Sequence, residues 1–184
     1  TGSIQDFMAQ AAKELQLWVV AGTLPLEADD DQHVLNTSLV YSPNGECVAR
    51  YDKIHLFQFD NGREHYTEAA AVQAGTQPVV CDIHAKNGET WRLGLSVCYD
   101  LRFPELYRAL SAQGADLLLV PSAFTYTTGQ AHWEVLLRAR AIENLAYVLA
   151  PGQGGVHENG RRTWGHSMLI DPWGAVQAMQ ASGT

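Results

Sequence analysis

The alternation of apolar and polar positions divides the chain into short strands and a few helices. Residues 3–17 place Ile4, Phe7, Met8, Ala11, Ala12 and Leu15 at near-helical spacing, which predicts an amphipathic helix with Ser3 as its cap. Residues 17–22 are apolar throughout and read as a short buried strand. A helix feeding a buried strand points to an α/β layer architecture. Residues 27–32 are an acidic, solvated turn. Two strand-like runs, 34–41 and 46–51, flank Ser42-Pro-Asn-Gly45, a strong hairpin signal. Residues 58–70 read as a polar loop carrying Arg63, Glu64, His65 and Glu68. A second hairpin is predicted from 78–83 and 90–97 around Lys86-Asn-Gly-Glu89.

The second half alternates strand and helix. A helix over 105–113 is stopped by Gly114. A strand over 116–121 leads into a Thr-rich loop, 122–129, and then a long helix over 131–144. A strand at 146–150, a Gly-rich loop at 151–162 and a strand at 163–170 follow. Asp171-Pro-Trp-Gly174 turns the chain so that 175–179 pairs back. There is no internal repeat or linker, so residues 1–184 read as one domain of mixed sheet covered by helices.

Composition narrows the class. The 184 residues suffice for one core, and 46% hydrophobic with 17% charged residues describes a globular chain. A net charge of -8 argues against nucleic acid as a partner. No apolar run approaches the ~20 residues of a membrane span. The first residues read as a helix rather than a secretory leader, which makes Asn36-Thr-Ser38 a chance sequon. Cys47, Cys81 and Cys98 are widely spaced and odd in number, which suits a reducing cytoplasm.

The richest stretch is Trp91-Arg-Leu-Gly-Leu-Ser-Val-Cys98-Tyr-Asp-Leu-Arg-Phe-Pro104-Glu105. It begins as a buried strand and ends as a helix with Pro104 in its first turn. A thiol at that junction meets backbone N–H groups and the positive end of a helix dipole, which favour the nucleophilic thiolate. The competing reading of Cys98 is an inert core thiol. Lys53 follows a strand and opens the apolar run Ile54-His-Leu-Phe57; it is either a cation in a water-poor site or a snorkelling strand end. Glu68 could pair with that lysine and keep it protonated, or be a solvated loop carboxylate. Glu134, Arg138, Arg140 and Glu143 fall at helical spacing and read as structural ion pairs, as do Arg102 and Glu105. The seven histidines form no metal-binding pattern, so no metal or other cofactor is expected. Gly152-Gln-Gly154-Gly155 lacks the context of a phosphate loop. Ser96 lies inside its strand rather than at a tip, which marks a core serine and not a hydrolase elbow.

These motifs carry a resemblance. Tyr51-Asp-Lys53-Ile-His-Leu-Phe57 and Gly94-Leu-Ser-Val-Cys98-Tyr-Asp-Leu-Arg-Phe-Pro-Glu105 are similar to the lysine and cysteine motifs of the nitrilase superfamily of carbon–nitrogen hydrolases. Residues 129–144 and 164–174 look most like its Nit branch, and among the activities of that branch the match is nearer to deaminated-glutathione amidase than to omega-amidase. The resemblance implies a four-layer αββα sandwich and hydrolysis of a non-peptide amide bond in a small carboxylate-bearing substrate through a cysteine thioester. N-carbamoyl hydrolysis, or a non-catalytic protein of the same fold, are the alternatives. It further implies Cys98 as nucleophile, Lys53 as catalytic lysine and Glu68, in Tyr66-Thr-Glu68, as the supporting glutamate. The backbone N–H of Tyr99 is the expected second oxyanion donor. Phe124 and Thr128, after a strand end, should border the pocket and meet the acyl group, unless 122–128 is an ordinary capped loop.

The family's general-base glutamate precedes its lysine motif, and no counterpart is found; Glu27 stands in the wrong context. The chain is therefore expected to be an internal portion of a longer enzyme, incomplete at both ends. Family members usually assemble through the helix after the cysteine and the one spanning 133–144, so a homodimer or larger homo-oligomer is implied. The expected partner is a small amide, with neither nucleic acid nor membrane.

Overall fold

The structure, a computed structural model, describes residues 2–60, 62 and 65–183. Two sheets stack between helices. The chain opens with helix α1 (Ser3–Leu15), β1 (Val19–Glu27), β2 (Val34–Tyr41) and β3 (Cys47–Asp52). After them come β4 (Gln58–Asp60), β5 (His65–Thr67), the 3-10 turn Glu68–Ala70 and β6 (Val72–Gln73). A first sheet has the order β1-β2-β3, antiparallel, with β6 added parallel to β2. The chain continues through β7 (Val79–His84), β8 (Thr90–Leu95), the 3-10 turn Cys98–Arg102, α2 (Pro104–Ala112), β9 (Leu117–Leu119) and α3 (Tyr126–Asn144). It closes with β10 (Tyr147–Ala150), β11 (Gly154–Val156), β12 (Arg162–Trp164), β13 (Ser167–Ile170) and β14 (Val176–Gln180). The second sheet is six-stranded, in the order β14-β13-β10-β9-β8-β7. Its centre, β8-β9-β10, is parallel and built from apolar runs, as expected of strands covered on both faces. Helix α1 packs on the first sheet and α2 and α3 on the second, giving the αββα layering.

A large core joins the two sheets with α2 and α3, while a second, smaller cluster around Ala12, Ala21, Leu24, Leu39 and Tyr41 seats α1 on the first sheet. Tyr51 and Val40 from the first sheet meet Leu93, Leu95 and Leu118 from the second, with Tyr107, Leu110, Trp133 and Leu137 from α2 and α3, all essentially buried. Ser96 is a core serine, bonded to the Tyr107 hydroxyl and to Leu119 O at 2.8 Å each. None of the described helices is long and apolar enough to cross a membrane.

Both predicted hairpins form, but several elements differ from the sequence reading. Gly2, not Ser3, is the N-cap of α1, and Ser3 is already helical. The helix buries its Ala12 edge; Ile4, Phe7 and Leu15 are exposed. Strand β1 runs on through Pro25 to Glu27, because a bulge between Ala21 and Leu24 lets pairing with β2 resume beyond residue 22. The predicted loop 58–70 contains the small β4-β5 hairpin; Arg63 and Glu64 lie outside the described residues. The Gly-rich loop likewise folds as the β11-β12 hairpin. The strand foreseen at 163–170 breaks between β12 and β13, where Gly165 and His166 take φ values of 74° and 55°.

The largest shift is at α3, which begins at Tyr126 rather than Ala131. The helix accommodates Gly129 because a side chain there would collide with Trp164: a Cβ would lie 2.3 Å from the Trp164 Cβ. Glycine inside a helix is a breaker only when nothing rewards its smallness. Gly129→Ala is therefore expected to destabilise the fold by ~1–3 kcal/mol through overpacking, although alanine is the better helix former. Urea unfolding checks this; equal or higher stability would show that α3 and Trp164 can move apart.

Candidate active site

Strand β8 delivers Cys98 to a sharp elbow. Val97 is still extended, while Cys98 adopts φ 52°, a left-handed conformation that costs a non-glycine residue energy unless its surroundings enforce it. They do. The Cys98 N–H donates to Pro121 O at 3.0 Å, tying the elbow to the end of β9. The Asp100 carboxylate takes the Val97 N–H at 2.8 Å, closing the first turn of the 3-10 segment. Tyr99 N–H, in that first turn, has no hydrogen-bond partner among the described residues.

The same carboxylate holds the lysine segment. Asp100 accepts from the Tyr51 hydroxyl at 2.7 Å, the His55 N–H at 3.0 Å and His55 Nδ1 at 2.7 Å. The backbone of Lys53 is fixed from both sides, by its N–H to Asn36 O (2.9 Å) and by Gly75 N–H to its carbonyl (2.8 Å). Its side chain is only 2% exposed and reaches Glu68 Oε2 at 2.5 Å. Glu68 Oε2 also accepts the Phe57 N–H at 2.6 Å, and Oε1 accepts Asn36 Nδ2 at 3.1 Å. The snorkelling reading of Lys53 and the solvated reading of Glu68 therefore both fail.

Cys98, Lys53 and Glu68 line one cavity of about 790 Å³. Tyr99, Phe124 and Thr128 line it too, so every sequence-predicted site residue comes to this place. Phe124 packs against Trp133 with ring centroids 4.9 Å apart, and Thr128 sits in the first turn of α3, its hydroxyl 2.5 Å from that of Thr125. Arg102 does not pair with Glu105, which is exposed. Its guanidinium faces His132 Nδ1 at 3.3 Å and lies 5.7 Å from the Phe124 ring centre, on the cavity wall. The α3 charges behave as expected: Arg138 meets Glu134, and buried Arg140 meets Glu143 while donating to Leu101 O. Sequence reasoning missed Asn36, Tyr66 and Arg161 as cavity residues. They lie on a strand interior and in two small hairpins, and nothing local marks them.

Charge on the cavity wall is unbalanced: Lys53, Arg102 and Arg161 face Glu68 as the one carboxylate among the described lining residues. Burial raises the Glu68 carboxyl, but the Lys53 ammonium, the Phe57 N–H and the Asn36 amide outweigh it and hold the group below its ordinary value. At Cys98 the balance goes the other way. Burial pushes the thiol up; the Lys53 ammonium, the Ala123 backbone hydrogen bond and Arg161 pull it down without overcoming burial. Burial thus works against the expected thiolate. The elbow supplies dipoles as foreseen, but desolvation of the sulfur is the larger effect.

The profile of the Carbon-nitrogen hydrolase family matches residues 1–183, and the chain belongs to that family. It is 48% identical over 179 residues to a deaminated glutathione amidase of Synechocystis sp. (strain PCC 6803 / GT-S), covering 95% of this chain and 64% of that one. It is 45% identical over 178 residues to the enzyme of the same name from Yersinia enterocolitica, covering 95% and 60%. The chain thus spans about 60 to 64% of the length of these relatives. Among solved structures it resembles the C. elegans NitFhit protein (TM-score 0.87, 43% identity, 97% of this chain and 43% of that one). It also resembles an amidase from Nesterenkonia sp. AN1 carrying an acrylamide Michael adduct at its active-site cysteine (TM-score 0.79, 30% identity, 96% and 64%).

Because burial dominates at Cys98, its alkylation by iodoacetamide should rise with pH along a curve centred above the ordinary thiol value of ~8.5. Lys53→Ala should move the curve higher still. Peptide-resolved mass spectrometry separates Cys98 from exposed Cys47. A midpoint below ~8 would mean that the elbow dipoles win after all.

Proposed function

We propose that this protein is an amidase acting through a cysteine thioester on a small carboxylate-bearing amide, with deaminated glutathione as its substrate. The observation that carries the reading is the convergence of Cys98 with the joined Lys53–Glu68 pair on one cavity wall. The relatives named above, and the cysteine adduct of the Nesterenkonia amidase, support it.

In this mechanism the Cys98 sulfur forms a bond to the amide carbon as its proton leaves to a base. The negative charge that develops on the carbonyl oxygen is met by the Lys53 ammonium and the free Tyr99 N–H. The C–N bond breaks as the nitrogen takes up a proton, ammonia departs, and water hydrolyses the thioester. Glu68 fixes Lys53 and remains ionised. It is held by three donors, so the proton transfers fall to another base. Phe124 and Thr128 shape the acyl site. The test is ammonia release by the protein as its gene encodes it, offered deaminated glutathione and alpha-ketoglutaramate. Release should favour the first and vanish in Cys98→Ser, and Lys53→Ala should lower it ~100- to 1,000-fold. Preference for the second substrate would make the protein an omega-amidase, and no release from either would overturn the reading.

The three cysteines are all free, which supports a cytoplasmic location. The proposal extends to a homodimer or larger homo-oligomer. Val135 and Ile142 on α3, with neighbouring Leu145 and Trp173, are exposed (69%, 49%, 79% and 88%), an apolar surface suited to a second copy. Sedimentation velocity should return at least twice the chain mass; a stable monomer at micromolar concentration would refute the assembly.

A further inference from the structure

Arg161 is a charged cavity residue whose chemistry the hydrolytic scheme leaves unused. It ends the turn between β11 and β12, where its N–H donates to Asn159 Oδ1 (3.0 Å) and its carbonyl accepts from His157 N–H (2.9 Å). These bonds fix the point from which the side chain starts. The guanidinium then passes 5.6 Å from the centre of the Tyr66 ring, and one terminal nitrogen donates to Ala123 O at 2.9 Å. The Ala123 contact anchors it to the segment that also supplies a backbone hydrogen bond to Cys98.

Two observations set this arginine apart. Its Nε is buried and has no hydrogen-bond partner. No carboxylate among the described residues forms an ion pair with it. A buried guanidinium N–H without an acceptor is costly, and such groups in native proteins call for an explanation. The one described carboxylate of the wall is taken: Glu68 belongs to Lys53, Asn36 and Phe57. A planar fork with a spare donor, stacked on an aromatic ring beside a nucleophile, matches the geometry of a carboxylate acceptor.

We infer that Arg161 is a specificity-determining residue that receives a carboxylate of the substrate, completing its donor set only when an anionic acyl chain fills the cavity. The assignment deepens the amidase reading and rests on it for the identity of the ligand as substrate. It explains why Arg161 has no carboxylate partner on a wall whose one described carboxylate is paired with Lys53: the missing anion arrives with the ligand. Neutral aliphatic amides would leave Arg161 unsatisfied and be selected against.

The test reads binding without requiring turnover. Cys98 of the full protein is alkylated with iodoacetamide in the presence of increasing glutarate, a small dicarboxylate, and the modified Cys98 peptide is quantified. Glutarate should protect Cys98. Arg161→Gln should raise the protecting concentration about 30-fold, within the ~10- to 150-fold range of a lost charged hydrogen bond, and Arg161→Lys should restore part of it. In parallel, the kcat/KM ratio of glutaramate over pentanamide should fall by a similar factor in Arg161→Gln, mostly through KM. Absence of protection in the wild type, or equal protection in Arg161→Gln, would overturn the assignment, as would a loss of thermal stability with the glutarate response intact. Arg161-dependent protection without ammonia release from any amide would instead keep the carboxylate site and sink the amidase reading.

Discussion

One buried carboxylate holds the site together. Asp100 is fully enclosed and accepts from Tyr51, from His55 twice and from Val97. Val97 belongs to the cysteine elbow, and Tyr51 and His55 bracket Lys53 by two residues on either side. Two segments nearly fifty residues apart are thereby fixed to one point, across the interface of the two sheets. A buried charge with one unpaired oxygen would be costly; with every acceptor position occupied it becomes a rigid joint. The stacked His55 and Phe103 rings, 3.7 Å apart, brace it from the solvent side.

The Lys53–Glu68 pair builds on that joint. Removing both charges from water costs several kcal/mol per ion, recovered only with full hydrogen bonding. Glu68 meets that condition through Asn36 and Phe57, and the constrained backbone of Lys53 spares the side chain much of its search. The ammonium is therefore held in one place, a fixed positive charge on the cavity wall that also carries Cys98.

How much of this the sequence discloses depends on whether the signal is local. The hairpins at Asn44-Gly45 and Asn87-Gly88 are legible because turn chemistry acts within a few residues. The elbow is legible because an apolar strand meets Pro104 and a helical pattern; Lys53 and Glu68 emerge from family motifs, since neither has a local pattern that separates it from an ordinary surface charge. The start of α3 is not legible, because Gly129 and the threonines around it read as a loop until Trp164 is known to lie against them. The small hairpins at 58–67 and 154–164 escape for a related reason: their strands are three residues long and held by partners that composition does not reveal. The thiol of Cys98 is set by burial and the Glu68 charge against three attractions, and burial has no signature in the chain.

That balance has a consequence for the life of the protein. Peroxides attack thiolates, and oxidation follows thiolate character and exposure. Cys98 is half-buried and burial raises its thiol, as it does that of surface-exposed Cys47. The shift at both sulfurs disfavours the thiolate that peroxides attack. The same desolvation that disfavours the thiolate at Cys98 shields that sulfur from oxidation.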